Sequence, residues 1–111
     1  MILFNTTFCV DDNIVGPFID FIRDVYIPLA DSSDMYSVLL TEIRSTPETN
    51  ALTGQPTRSF ALQMRVPSQE KAEEFRHDIL PEIYRLIGEQ WGAGVGMFES
   101  ILDVVYDHNK R

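Results

Sequence analysis

The sequence predicts a ferredoxin-like α+β sandwich, and three observations carry that prediction. Apolar residues alternate over 2–10 and again over 58–66, the period of a strand with one buried face. They recur at spacings of three and four over 14–29 and over 72–91, the period of a helix. Two further strand-like runs, 35–45 and 95–106, complete the order strand, helix, strand, strand, helix, strand. Two split βαβ units in that order make a four-stranded antiparallel sheet with both helices on one face.

In the first run Ile2, Phe4, Phe8 and Val10 share one side, with Thr6 as the polar exception, and Leu3, Asn5, Thr7 and Cys9 share the other. Asp11, Asp12 and Asn13 follow as N-cap candidates, because their side-chain oxygens can accept the free amides of a first helical turn. Ile14, Phe18, Phe21, Ile22, Val25 and Leu29 form the first helical stripe. Pro17 is tolerated near its start, and Pro28 is expected to help end it. Residues 31–34 (DSSD) read as a loop, 35–45 as the second strand, and 46–57, with its Pro, Asn and Gly, as a long connection with a mobile tip. In the third strand Phe60, Leu62, Met64 and Val66 face away from Ser59, Ala61, Gln63 and Arg65. Ser68 is the expected N-cap of the second helix, and Glu70 stands in its first turn, where negative charge is favoured. Ala72, Phe75, Ile79, Ile83 and Leu86 continue its stripe, and Pro81 should kink it by removing a backbone donor. Gly92, Gly94 and Gly96 break the helix before the fourth strand, and 107–111 is a tail.

A chain of 111 residues fits one domain, 1–111. Folding at that length hides roughly two-thirds of the unfolded surface, so a core can form without covalent staples. Cys9 is the one cysteine, which fits a reducing compartment. The first residues lack the basic and apolar regions of a secretion signal, and no apolar run approaches spanning length, so a cytoplasmic protein with no membrane partner is expected. The chain is acidic: nine basic against seventeen acidic residues give a net charge of −8, which argues against nucleic acid as a partner. Its one basic cluster is Lys110–Arg111. Asp11, Asp12, Asp20, Asp24, Asp31 and Asp34 face only Arg23 and read as a solvated acidic helix face.

With both helices on one side, the other side of the sheet stays uncovered. Asn5, Thr7, Gln63 and Arg65 belong there, with Cys9 and Ala61 beside them. Leu3 lies there too, and the VLL and ILDVV runs of the second and fourth strands are apolar on both sides. A face this mixed calls for a partner. The expectation is a homodimer with its sheets face to face, enclosing a small cavity. Asn5, Thr7, Cys9, Gln63 and Arg65 are the candidates to line it and to hold a small-molecule ligand.

Several short motifs now acquire a context. NTTFCVD at 5–11, YIP at 26–28, FALQ at 60–63, and WG at 91–92 followed by MFESIL at 97–102 resemble a small, uncharacterised bacterial domain-of-unknown-function family. The resemblance spans nearly the whole chain and rests on Asn5, Thr7, Asp11, Pro28, Gln63, Trp91 and Gly92. Ser100 stands where that family has Thr, and Val104 where it has an acid. It implies a dimeric α+β barrel type of fold and no established activity. The wider barrel group includes cofactor-free monooxygenases and haem-degrading enzymes. In the haem-degrading type a strand-one Asn and a second-helix His flank the haem, which here would be Asn5 and His77.

The residues themselves weigh against that chemistry. No Trp stands on the third strand, and Trp91 at the helix end is expected to pack. His77 lies two residues from Phe75 and two from Ile79, off the buried stripe, and reads as a surface residue. The adjacent pairs His77–Asp78 and Asp107–His108 do not face one another, and no Cys/His spacing fits zinc, so no metal and no cofactor are expected. Cys9 has no base partner in the sequence and reads as a plain, half-buried thiol. GAGVG at 92–96 precedes a strand rather than a helix, so it is a turn and not a phosphate loop. Glu42, Arg44, Gln63, Arg65 and Glu99 could gather into a polar cluster, with ordinary cross-strand pairing the simpler reading. The expected function is a non-catalytic module that binds a ligand or partner on the open sheet face; a small oxygenase of the dimeric barrel type is the alternative.

Overall fold

A computed structural model describes residues 1–108, the side chain of Pro47 excepted. The Lys110–Arg111 pair lies outside the described residues. β1 (Ile2–Asp11) pairs antiparallel with β3 (Pro56–Val66) on one side and β4 (Val95–Asp103) on the other. β3 also pairs with β2 (Tyr36–Thr49), giving the sheet order β2-β3-β1-β4. The first helical stretch comprises a 3₁₀ turn at Asp12–Ile14, α1 (Val15–Phe21), a π-helical segment (Ile22–Tyr26) and α2 (Ile27–Ser32). The second comprises α3 (Gln69–Asp78) and α4 (Leu80–Trp91), followed by a 3₁₀ turn at Gly92–Gly94.

Both helical stretches cover one face of the sheet, as the strand alternation requires. Phe4, Phe8, Val10, Phe60, Leu62, Met64 and Val66 are all buried there. The Phe75 ring stands edge-on to Phe4 at 5.2 Å, and Phe18 stands edge-on to Phe8 at 4.9 Å, the geometry that ring quadrupoles favour. No helix of the described residues is long and apolar enough to cross a membrane.

The first helical stripe differs from expectation at its far end. Phe18, Phe21 and Ile22 are buried as the spacing requires, and Ile14, Val25 and Leu29 pack half-buried against the core, but the buried positions at the ends of the stripe are Val15, Tyr26 and Ala30. The π-helical segment explains the shift. Spacing of four overshoots an α-helical turn by about 40° each time. One wide turn absorbs that drift, so 18, 22, 26 and 30 stay on one face. Pro28 does not stop the helix either. It sits in the first turn of α2, directly after the π-helical segment, and Asp31 and Ser32 remain helical. Only Ser33 and Asp34 turn, with Asp34 at φ 65°. The second stretch follows expectation: the Ser68 hydroxyl accepts from the Lys71 amide at 3.2 Å, and the helix breaks at Ile79, ahead of Pro81.

Half of the long connection expected over 46–57 is strand. Glu48 pairs with Thr57 and Thr49 with Pro56, leaving 50–55 as the turn. Pro47 falls where the register between Ile43 and Glu48 is irregular, on an edge strand that tolerates a missing donor. β4 is shorter than expected and ends at Asp103.

Asp11 is not a cap. Its side chain is only 4% exposed, and its carboxylate accepts from Asn50 Nδ2 at 2.9 Å. The same nitrogen donates to the Ala93 carbonyl at 2.8 Å, tying the hairpin to the turn before β4. That turn needs its glycines: Gly92 has φ 52°, and a Cβ on Gly94 would stand 3.2 Å from Ile14 Cδ1. Asn50→Ala would leave a buried carboxylate short of its donor. The expected loss is about 1.5–3 kcal/mol, read as a lower urea midpoint with an unchanged slope. An unchanged midpoint would mean water replaces the amide without cost.

Candidate functional site

The uncovered face can be read row by row from the strand register. Leu102, Leu3, Arg65 and Tyr36 form one row, and Ser100, Asn5, Gln63 and Leu39 the next. Phe98, Thr7, Ala61 and Thr41 follow, then Gly96, Cys9, Ser59 and Ile43. The pattern across the rows is regular. Every row has a large apolar side chain on at least one edge strand, with Phe98 and Leu39 both 59% exposed and Leu102, Ile43 and Tyr36 also exposed; Ser100, Thr41 and Gly96 fill the other edge positions. The central strands β1 and β3 carry Asn5, Thr7, Cys9, Ser59 and Gln63, with Ala61 among them and Leu3 and Arg65 at one end.

All five expected cavity residues lie on this face, but they are not equivalent. Asn5 and Gln63 are register partners, and Asn5 Nδ2 donates to Thr7 Oγ1 at 3.0 Å. Asn5, Thr7 and Gln63 are half-buried and form the centre of the polar strip. Cys9 lies towards one end beside Gly96, whose missing side chain leaves the thiol exposed rather than half-buried. Arg65 lies at the other end beside Leu3, exposed, at the rim of a depression of about 410 Å³ that Gln63, Leu3 and Leu39 also line.

The mixed polar cluster does not form, because its members alternate between faces. Gln63 and Arg65 are on the open face, whereas Glu42 is opposite Phe60 and Glu99 opposite Thr6, on the helix side. Glu42 instead holds Arg58 by two hydrogen bonds of 2.8 and 2.9 Å.

On the helix side a polar group appears that the sequence did not announce. The hydroxyls of Thr6 and Tyr26, both fully buried, share a hydrogen bond of 2.7 Å. Burial pushes the Tyr26 phenol well above its ordinary range. Next to Thr6 in the ladder, Glu99 accepts from the Tyr84 hydroxyl at 2.7 Å and lies 3.4 Å from Arg76 Nε. The Tyr84 bond, then a backbone hydrogen bond and Arg76, hold the Glu99 carboxyl below its usual range, while burial and Glu99 push Tyr84 up to about 12. A lowered folded pKa contributes stability above the unfolded value of about 4.3, and that contribution is lost as pH falls through the folded value. Tyr84→Phe should therefore lower the urea midpoint at neutral pH and leave it unchanged in acid. A loss of equal size at both would assign the effect to packing.

Nothing joins Asn5 to His77. The His77 side chain is 76% exposed on α3, 3.7 Å from Glu73, on the side of the sheet opposite Asn5. Trp91 packs edge-on against Phe21 at 5.7 Å and Phe18 at 6.2 Å. Among the described residues no three His, Cys, Asp or Glu side chains converge as metal ligands would.

The family model of a domain of unknown function (DUF4286) matches residues 1–105. No curated protein matches the sequence. Among solved structures, a dimeric ferredoxin-like protein from an uncultured marine organism superposes with a TM-score of 0.64 at 10% identity, over 99% of this chain and 100% of the other. A protein from Deinococcus radiodurans, provisionally named an antibiotic biosynthesis monooxygenase, superposes with a TM-score of 0.63 at 13% identity, over 100% of this chain and 99% of the other. Likeness at these identities establishes the ferredoxin-like fold.

Proposed function

As the chain belongs to the DUF4286 family, whose function is unknown, we propose from the site itself that it is a cytosolic homodimeric module binding a small ligand between two facing sheets. The observation that carries this reading is the layout of the open face, with apolar edge strands flanking a polar centre. With the strands of the two sheets aligned, a two-fold axis between them has two settings. Parallel to the strands, it sets β2 over the partner's β4; perpendicular to them, it sets each edge strand over its own copy. Both place apolar edge on apolar edge and polar centre on polar centre. The edges seal, and Asn5, Thr7 and Gln63 of both copies line what is enclosed. The dimeric ferredoxin-like neighbour supports the reading.

Light scattering and native mass spectrometry of freshly purified protein test it. A dimer is expected, and mass beyond two chains would report a retained ligand. A monomer throughout the micromolar range would overturn the reading.

A small oxygenase is the second reading, carried by the neighbour named as a monooxygenase. It requires Asn5, Gln63 or His77 to matter for turnover. The separation of Asn5 from His77 by the sheet disfavours its haem-degrading form, so no new Soret band is expected on titration with haem.

A further inference from the structure

The cations of this acidic chain are mostly spoken for. Arg23, Arg58, Lys71, Arg76 and Arg85 each sit against at least one carboxylate. Among the described residues only Arg44 and Arg65 do not. Arg44 shares its surroundings with Asp12 and Glu42. Arg65 is different: it rises from the open face at the end of the polar strip, at the mouth of the 410 Å³ depression. Gln63 and Arg65 on β3 stand in the middle of its lining, with Met1, Leu3 and Val104 on the β1 side and Leu39 and Ser37 on the β2 side. Asp107 is the one acid that lines it, and no contact with Arg65 is made.

We propose that Arg65 and Gln63 receive the carboxylate of a small organic acid whose hydrocarbon part lies along Leu3, Leu39 and Val104. The proposal rests on the reading that this sheet face takes a ligand. A guanidinium presents a planar fork of donors that matches a carboxylate with two parallel hydrogen bonds. A neighbouring amide supplies a further donor, as Gln63 can. Leu3, Leu39 and Val104 offer apolar surface on both flanks of β3 that removes hydrocarbon from water. The net charge of −8 does not forbid an anion, because at physiological salt charges beyond about 8 Å are screened. Asp107 is the close repulsive group, and it stands in the segment after β4 rather than on the sheet.

The test titrates the full chain with octanoate and, separately, with 1-octanol of the same chain length, following backbone amides by NMR while light scattering reports the oligomer. Octanoate is expected to bind about tenfold or more tightly than the alcohol, the worth of a charge-assisted pair. Its shifts should centre on Leu3, Gln63 and Arg65. Arg65→Met should reduce octanoate to the affinity of the alcohol, and Asp107→Asn should tighten it. Equal affinities, or an Arg65→Met variant that still prefers the acid, would overturn the proposal while leaving a ligand-binding face intact. Binding of neither compound would overturn both. A monomer that prefers octanoate through Arg65 would overturn only the dimer.

Discussion

Phe98→Asp is expected to convert the proposed dimer into a folded monomer. In the single chain the Phe98 ring is 59% exposed on the open face of an edge strand, so its removal leaves no cavity in the core. The direct cost to the fold is that of a surface strand substitution, about 1 kcal/mol or less. The cost to association is different in kind. In either two-fold alignment the residue lies in an apolar seam, once in each copy, and an unpaired carboxylate buried there costs several kcal/mol. At a factor of ten per 1.4 kcal/mol, association should weaken by about a thousandfold or more. A dilution series by light scattering reads that loss directly, while a melting curve confirms that the fold persists. Thr7→Arg approaches the same interface from its polar centre and should also dissociate it, since two unpaired guanidinium groups would meet in the enclosed space. A Phe98→Asp or Thr7→Arg protein that remains a dimer of wild-type affinity would show that the sheets do not meet through this face.

Which parts of this arrangement could be read from the sequence follows from which signals are local. Strand alternation is a property of neighbouring residues, so the faces of β1 and β3 emerged correctly, including the joint placement of Asn5, Thr7 and Gln63 on the open side. The two-sided apolar runs of β2 and β4 pointed to an unsatisfied face for the same reason. What was not legible depends on pairing between distant segments. Residues 46–49 look like a loop until Thr57 and Pro56 stand opposite them. Asp11 looks like a helix cap until Asn50, 39 residues away, is folded against it. Cys9 looks half-buried by alternation, and only its pairing with Gly96 on β4 exposes it.

The segregation of apolar side chains to the edge strands is the feature most relevant to function, and it too needed the sheet order. In sequence, Leu39, Ile43, Phe98 and Leu102 are scattered over two distant strands. Only the order β2-β3-β1-β4 sends both strands to the rims and leaves β1 and β3 in the middle. Arg65 likewise had no visible distinction from other arginines. Its character comes from what does not surround it.

A large effect on the fold itself is expected at Thr6 and Tyr26. Thr6 is a polar residue on the apolar face of β1, and its hydroxyl meets the Tyr26 hydroxyl at 2.7 Å with both side chains fully buried. Tyr26→Phe should leave the Thr6 hydroxyl without that partner, and Thr6→Val should do the same to the phenol, each at about 1–3 kcal/mol. The double variant removes both polar groups at once and replaces them with apolar atoms of nearly the same shape. Its loss should fall well short of the sum, with a coupling of about 1–2 kcal/mol, read from urea unfolding of all four proteins. Strict additivity would mean that each hydroxyl is satisfied elsewhere and that packing sets the cost. The phenol adds a signature in alkali. A pKa raised by burial contributes stability that is complete below the unfolded value of about 10 and is lost as pH rises toward the folded one. Tyr26→Phe should flatten that alkaline limb, whereas Thr6→Val should keep it. If the bond also fixes the rotation of the wide helical turn at Ile22–Tyr26, hydrogen exchange there should speed up in the double variant by more than its global loss of stability accounts for. Unchanged exchange in that protein would confine the role of the pair to satisfying its own hydroxyls.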